Sequence, residues 1–336
     1  MKIFITGIAG FLGSRLARYF LEKGHEVVGC DNLTGGYQDN VPEDAEMHQV
    51  DCTYLNAMTR ITDGSDVLIH AACTAYEGLS VFSPHLVCHN TSQISNTVFT
   101  ACAINGIKRV INCSSMARYG HQEVIPFTED MIPKPVDPYG ISKLAAEQVL
   151  AILSEVHGFE FVNLVPHNII GANQKYDDPF RNVAAIMINL MLRGKQPIIY
   201  GDGGQKRCFS DARDILGCFD KALTSTEANG QTINIGPDEE FVSILELAKL
   251  IADVLNFKNL DPIFVDPRPQ EVRYATCSAE RARRILGYET KYKLRQSIHD
   301  MAEWIKVRGP RKFRYHLNVE IQNAKTPRTW SDRLFT

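Results

Sequence analysis

Tyr139 and Lys143 stand four residues apart in Asp137-Pro138-Tyr139-Gly140-Ile141-Ser142-Lys143. Residues at i and i+4 share one helix face, with Cβ atoms about 6 Å apart, so an ammonium there can act on a phenol. Free tyrosine titrates near ~10, but a neighbouring cation favours phenolate and makes the residue a usable general base. Asp137 can cap the helix and Pro138 fits its first turn, which puts Tyr139 at a helix entrance. An ordinary exposed helix pair has the same spacing, so the reading needs a second feature.

That feature opens the chain. Lys2-Ile3-Phe4-Ile5-Thr6 alternates like a strand and runs into Gly7-Ile8-Ala9-Gly10-Phe11-Leu12-Gly13, after which Phe11, Leu16, Ala17, Phe20 and Leu21 follow a helical period as far as Gly24. Glycines in a strand-to-helix turn let backbone approach a pyrophosphate, while the helix N-terminus offers unpaired N–H groups and a positive dipole end. A second strand, His25 to Cys30, ends in Asp31, about 20 residues on, where an acid can hold adenosine ribose hydroxyls and would repel a 2′-phosphate. NAD is therefore favoured over NADP. A turn-capping aspartate is the alternative for Asp31. Together, the glycine turn and the tyrosine–lysine pair indicate an enzyme that moves hydride.

Apolar runs alternate with helical patterns along the chain. Strands are expected near 2–6, 26–30, 47–51, 66–70, 109–113 and 160–165, and helices near 11–23, 86–105 and 138–156. Such alternation predicts an α/β fold, a Rossmann-type doubly wound parallel sheet whose ligands bind off the carboxyl ends of the strands. Gly7, Asp31, Asp51, Ala71, Ser115 and Pro166 all follow expected strand ends, so the motifs converge on one edge. After Pro166 the texture turns to loops, and a smaller α+β substrate lobe begins. The expected division is a cofactor domain at 1–166, rejoined by about 211–237, a second lobe at 167–210 and 238–306 that includes a helix at 279–286, and a tail at 307–336.

With 336 residues and 44% hydrophobic content, the chain can bury a large core. A net charge of −3 gives no global field to recruit nucleic acid or membrane. No run approaches the ~20 apolar residues of a membrane-spanning helix, and the apolar start breaks at Gly7 without a cleavage site. Nine scattered cysteines without a C-x-x-C read as reduced and buried, in cytoplasm, and ten histidines lack metal-ligand spacing.

The residues now assembled resemble the extended short-chain dehydrogenase/reductases, and within them the NAD-dependent nucleotide-sugar epimerase/dehydratase family, over nearly the whole chain. Thr6-Gly7-Ile8-Ala9-Gly10-Phe11-Leu12-Gly13 is similar to that family's T-G-x-x-G-F-x-G, and Asn32, after Asp31, joins the cofactor set. Asp51-Cys52 resembles its adenine-contacting acid and neighbour, and Asp66 to Ala72 its D-V-x-x-H-x-A-A strand end, where Ala71 and Ala72 pass the cofactor. Asn90 corresponds to an asparagine near the nicotinamide, and Pro166 also lies on the cofactor side. In Ser114-Ser115-Met116-Ala117-Arg118-Tyr119-Gly120, the S-S-x-x-x-Y-G likeness assigns the catalytic hydroxyl to Ser115, with Ser114 the alternative by one register. By the same resemblance Asn168, Arg207 and Arg268 bind the substrate diphosphate, and Glu271 the nucleotide ribose. Arginine suits a diphosphate because its planar fork can bond two oxygens.

In that family the tyrosine removes the C4 hydroxyl proton while hydride leaves C4 for NAD⁺. Dehydratases carry an Asp-Glu pair after the catalytic hydroxyl, and decarboxylases commonly a glutamate; this chain has Met116 and Ala117, neither able to transfer a proton. The resemblance therefore implies a C4 epimerase acting on a nucleotide-diphosphate sugar, UDP-linked by analogy. A 4-dehydrogenase or 4-ketoreductase needs the same residues but exchanges its cofactor, and a non-catalytic NAD-sensing regulator shares the fold. Arg118, Cys73 to Glu77, and Val165-Pro166 depart from the family pattern and leave the sugar open. The resemblance also implies a homodimer paired through the 86–105 and 138–156 helices. The tail from Val307 carries seven Lys/Arg against two Asp/Glu; Tyr315 to Ile321 alternates like a strand, and Trp330, Leu334 and Phe335 read as docking residues.

Overall fold

In the computed structural model, which describes residues 1–335, seven strands form one sheet. They are β1 (Lys2–Thr6), β2 (Glu26–Asp31), β3 (Glu46–Gln49), β4 (Val67–His70), β5 (Arg109–Cys113), β6 (Glu160–Pro166) and β7 (Thr232–Ile235), in spatial order β7-β6-β5-β4-β1-β2-β3. Every pairing is parallel. The order reverses between β1 and β4, which leaves a crevice beyond their carboxyl ends.

The longer helices are α1 (Phe11–Glu22), α2 (Leu55–Thr62), α3 (Ile94–Asn105), α4 (Pro138–His157), α5 (Val183–Leu192), α6 (Ala212–Ala222), α7 (Ile244–Leu255), α8 (Glu280–Leu286) and α9 (Leu294–Arg308). Leu16, Phe20, Ile215, Phe219 and Ile285 carry α1, α6 and α8 onto one face of the sheet. Met58, Val98, Phe99, Ala146 and Leu150 carry α2, α3 and α4 onto the other. With both faces covered, the central strands are buried and mostly apolar, as parallel sheets require. A second core joins α5, α7 and α9 through Met187, Ile188, Leu247, Ile251, Ile298 and Met301.

Local chemistry sets the helix ends. Asp137 caps α4 by accepting from the Gly140 amide at 2.9 Å, Pro138 occupies the first turn, and Gly158 ends the helix in the left-handed region. Ser243 and Glu246 form a reciprocal capping box on α7. By contrast, α1 begins at Gly10 with no side-chain cap and no acid in its first turn, so its amide end stays open to an anion.

Four expectations change. The strand expected at 47–51 runs over Glu46–Gln49, because Asp51 turns back to accept from the Thr53 amide and hydroxyl. The helix expected over 86–105 is broken: Pro84–Cys88 leads into a π-turn at His89–Gln93 where Asn90 leaves helical geometry, and α3 resumes at Ile94. Helix α8, expected in the second lobe, packs on the sheet through Ala282, Ile285 and Leu286. Residues 315–321 form no strand; the tail is held residue by residue instead, as where the Ile321 amide donates to the Phe82 carbonyl at 2.8 Å.

Two glycines in the first turn are dictated by contact. Gly7 has φ +73°, and a Cβ there would lie 3.0 Å from the Ala72 backbone. A Cβ on Gly13 would lie 2.1 Å from the Gly7 carbonyl oxygen, so α1 reaches β1 this closely only without a side chain. Gly13→Ala is expected to lower the unfolding free energy by roughly 1–3 kcal/mol and to reduce NAD content, measured by denaturant titration and by cofactor release from purified protein.

Candidate active site

The carboxyl ends of β1, β2, β4, β5 and β6 open into one cavity of about 450 Å³. Its floor is the glycine turn: Gly7, Gly10, Phe11 and Leu12 line it, with Asp31 and Asn32 beyond β2. Asp51, Cys52, Ala71, Ala72 and Asn90 continue the same wall. Tyr139, Lys143, Ser115 and Pro166 lie further along, followed by Asn168, Arg207, Arg268 and Glu271. All the residues singled out from the sequence thus face one cavity, although they come from ten stretches of chain.

Asp31 ties the floor together. One carboxylate oxygen accepts from the Ala9 amide at 3.0 Å and the other from the Leu33 amide at 2.7 Å, so the acid both braces the glycine turn and faces the cavity. Asp51 accepts from the Asn32 side chain at 2.8 Å, joining the ends of β2 and β3. Thr6 accepts from the amides of Ala71 and Ala72, both at 3.1 Å, and fixes the end of β4 beside the turn. His70, wholly buried between Thr6 and Ser95, is pushed down to about 3 by burial and then by Lys143, so it is a neutral strut.

A dinucleotide fits this floor. Uncapped α1 amides, glycines whose side chains would fill the approach, and an acid at the end of β2 are the three elements such a cofactor requires, and all three are present.

Both serines line the cavity, and their partners tell them apart. Ser114 is buried and donates to Glu147, whose other oxygen pairs with Arg118 at 3.0 Å. Ser115 lines the cavity, accepts from the Ala117 amide at 3.2 Å, and hydrogen-bonds the Tyr139 phenol. Arg118, which departs from the family pattern, is thus half of a buried ion pair that occupies the Ser114 hydroxyl and leaves that of Ser115 uncommitted to a carboxylate. Glu147 lies one turn after Lys143, and its partnership with Arg118 had no signal in sequence beyond the two charges themselves.

One electrostatic expectation is corrected. Lys143 does share a helix face with Tyr139, its ammonium 5.9 Å from the ring centroid, but it donates to the Cys113 carbonyl at 2.7 Å. Burial raises the Tyr139 phenol well above its ordinary value, and the nearby Cys73 adds to this, whereas the Ser115 hydrogen bond acts in the opposite direction. A phenolate in this dry wall loses its hydration, and without further positive charge in the cavity that loss outweighs the lysine.

At the far end, small ladders aim the arginines. Lys206–Arg207 lies between Val242–Ser243 and Tyr274–Ala275, and Arg207 donates to the carbonyls of Lys206, Val272 and Arg273, none of which neutralises its charge. Arg268 stacks on Tyr200 at 4.9 Å and pairs with Glu271 at 2.5 Å. Asn168, with φ +43°, donates to the Cys208 carbonyl at 2.9 Å. Tyr76, Arg181, Trp330 and Phe335 also line the cavity. Of these, the sequence flagged Tyr76 within the departing segment Cys73 to Glu77 and the two tail aromatics as docking residues, and it gave no sign of Arg181.

A parallel sheet with a glycine cradle at its switch point and a Ser–Tyr–Lys set beyond it defines a nicotinamide-dinucleotide enzyme of the short-chain dehydrogenase class. More narrowly, the model of the NAD dependent epimerase/dehydratase family matches residues 3–236, and the chain belongs to that family. The UDP-glucose 4-epimerase of Mycolicibacterium smegmatis is 29% identical over 321 residues, 91% of this chain and 99% of that one. UDP-glucose 4-epimerase from Thermotoga maritima, solved with UDP-glucose, superposes with a TM-score of 0.86 at 27% identity, over 92% of this chain and 99% of that one. UDP-glucuronic acid 4-epimerase from Bacillus cereus, in complex with UDP-glucuronic acid and NAD, gives 0.84 at 25% identity, over 92% and 100%.

Asp137 supplies a pH test. Burial, and then the Glu77 charge, push its carboxyl up to about 7 from an ordinary 3.8. Below the ordinary value both folded and unfolded chains hold the proton; between there and about 7 the folded chain alone keeps it, so stability falls as pH rises. Asp137→Asn retains a capping side chain and removes this loss. The variant is expected to gain on the wild type by about 1–3 kcal/mol between pH 4 and pH 8 in denaturant titrations.

Proposed function

We propose that this protein interconverts the C4 epimers of a nucleotide-diphosphate sugar, UDP-linked, through a transient 4-ketose and with NAD retained between turnovers. The observation that carries the reading is a cavity in which Ser115, Tyr139 and Lys143 meet an arginine-lined end, while Met116 and Ala117 fill the positions where an elimination would need an acid and a base. The relatives described above act on UDP-glucose or UDP-glucuronic acid, which supports a UDP-sugar and leaves the hexose to be identified.

In this reading Tyr139 takes the proton from the C4 hydroxyl and returns it, and Ser115 hydrogen-bonds the C4 oxygen. Lys143 orients the nicotinamide ribose and adds positive charge near the phenol. Bound NAD supplies the hydride acceptor and donor. Arg207, Arg268 and Asn168 hold the diphosphate while the ketose turns over to present its other face, and Glu271 faces the nucleotide ribose. The cofactor lobe comprises 1–166 with 211–237 and helix α8; the remainder up to 306 forms the substrate lobe.

The test is to incubate purified protein, with no NAD added, with a panel of UDP-sugars and to follow C4 configuration by NMR. One C4 pair should equilibrate. Reaction only with an external oxidant or reductant would replace the epimerase by a dehydrogenase or reductase. Tyr139→Phe is expected to lower kcat by about 10²–10⁴-fold, and unchanged turnover would refute the assigned base.

The protein works as a homodimer in this reading. Ile141, Ile152 and Val156 on α4 are 54%, 61% and 69% exposed, and Ile104 on α3 is 59% exposed, so adjacent helices present an uncovered apolar stripe. Nine free cysteines, seven of them buried, fit a reducing compartment such as the cytoplasm. Among the described residues no helix is long and apolar enough to cross a membrane. Ile152→Asp should halve the mass measured by light scattering, with circular dichroism unchanged.

A further inference from the structure

The described part of the tail, 307–335, does not trail away from the body. Arg308 pairs with Asp39 at 2.5 Å, the Arg311 amide donates to the Asn189 side chain at 3.0 Å, and the Arg314 amide donates to the Asp177 carbonyl at 2.8 Å. Further on, Glu320 accepts from the amides of His85 and Leu86 at 3.1 and 2.9 Å. The tail is thus tied to the body through Arg308, its backbone and Glu320, while Lys312, Arg314, Lys325, Arg328 and Arg333 stay exposed.

The last turn then reaches the cavity. Trp330, 6% exposed, packs with Tyr76, Phe82 and Phe180 and donates its indole N–H to the Pro179 carbonyl at 3.3 Å. Phe335, 3% exposed, packs with Ile186, Leu190, Ile198 and Phe313. Both side chains also line the cavity. Next to Trp330 in the chain, the Thr329 hydroxyl hydrogen-bonds the Tyr200 phenol, and Tyr200 carries the Arg268 guanidinium on its ring. Tyr315 closes the loop by donating to the Thr329 carbonyl at 2.7 Å.

We propose that residues 329–335 form a substrate-binding wall that grips the nucleoside diphosphate half of the substrate. The wall acts in two ways. Trp330 and Phe335 exclude water from the apolar side of the cavity, and Thr329 fixes the Tyr200 ring on which Arg268 lies, so the arginine is held ready for the diphosphate. The proposal rests on the nucleotide-sugar reading above and adds to it where affinity for the nucleotide resides.

The test uses the NAD-loaded, full-length protein and UDP as probe. Trp330→Ala and Phe335→Ala should each weaken UDP binding in calorimetry by about tenfold and raise KM for the UDP-sugar in step, with kcat changed by no more than about twofold. Trp330→Phe and Phe335→Leu should restore most of the affinity while keeping the fold intact. UDP affinity unchanged in folded alanine variants, or a loss confined to kcat, overturns the wall. Absence of turnover by the wild type on every UDP-sugar would instead sink the epimerase reading, and the UDP titration separates the two failures.

Discussion

The approach of α1 to the Gly7 carbonyl is the contact on which the rest of the molecule depends. It sets the depth of the cofactor floor, because any side chain at Gly13 would meet the Gly7 carbonyl and push the open amide end of the helix away from the crevice. It also fixes where Asp31 can brace the turn and where Thr6 can catch Ala71 and Ala72. These bonds draw the ends of β1, β2 and β4 into one rim. A dinucleotide site of this kind is therefore less a set of ligands than a packing geometry that excludes Cβ atoms.

Reactive groups beyond that rim are held by burial as much as by hydrogen bonds. Tyr139 lies in a dry wall, and its phenol is harder to ionise than the tyrosine–lysine spacing alone suggests. Lys143 is anchored on a carbonyl and Ser114 on Glu147, so two of the polar groups near the phenol are committed before any ligand binds. Ser115 is left as the hydroxyl able to follow a reacting oxygen. Positive charge brought by a bound oxidised nicotinamide fits such a site, since it acts where the protein has withheld solvent.

At the other end the protein keeps its cations available. Arg207 leans on neutral carbonyls, and Arg268 has Glu271 as a nearby partner and an aromatic ring beneath it. Arg207 owes its position to a ladder only two residues long, and Arg268 to the loop between two such short strands, beside a compact second core of α5 with α7 and α9. The tail adds aromatic mass to the same end, next to the ring that supports Arg268.

By itself the sequence determined the sheet, its glycine turn, the capped helix carrying Tyr139 and Lys143, and the set of residues that share the cavity. These follow from periods and turn chemistry that act over a few residues, and the strand-end positions of Asp31, Ala71, Ser115 and Pro166 carried them to one edge. Only the tertiary structure decided that Ser114 belongs to Glu147 and Arg118, that burial dominates the Tyr139 phenol, that α8 packs on the sheet, and that Trp330 and Phe335 reach the cavity. Each of these depends on contacts between residues distant along the chain, or on how much water a closed surface excludes, and neither quantity is written in local spacing.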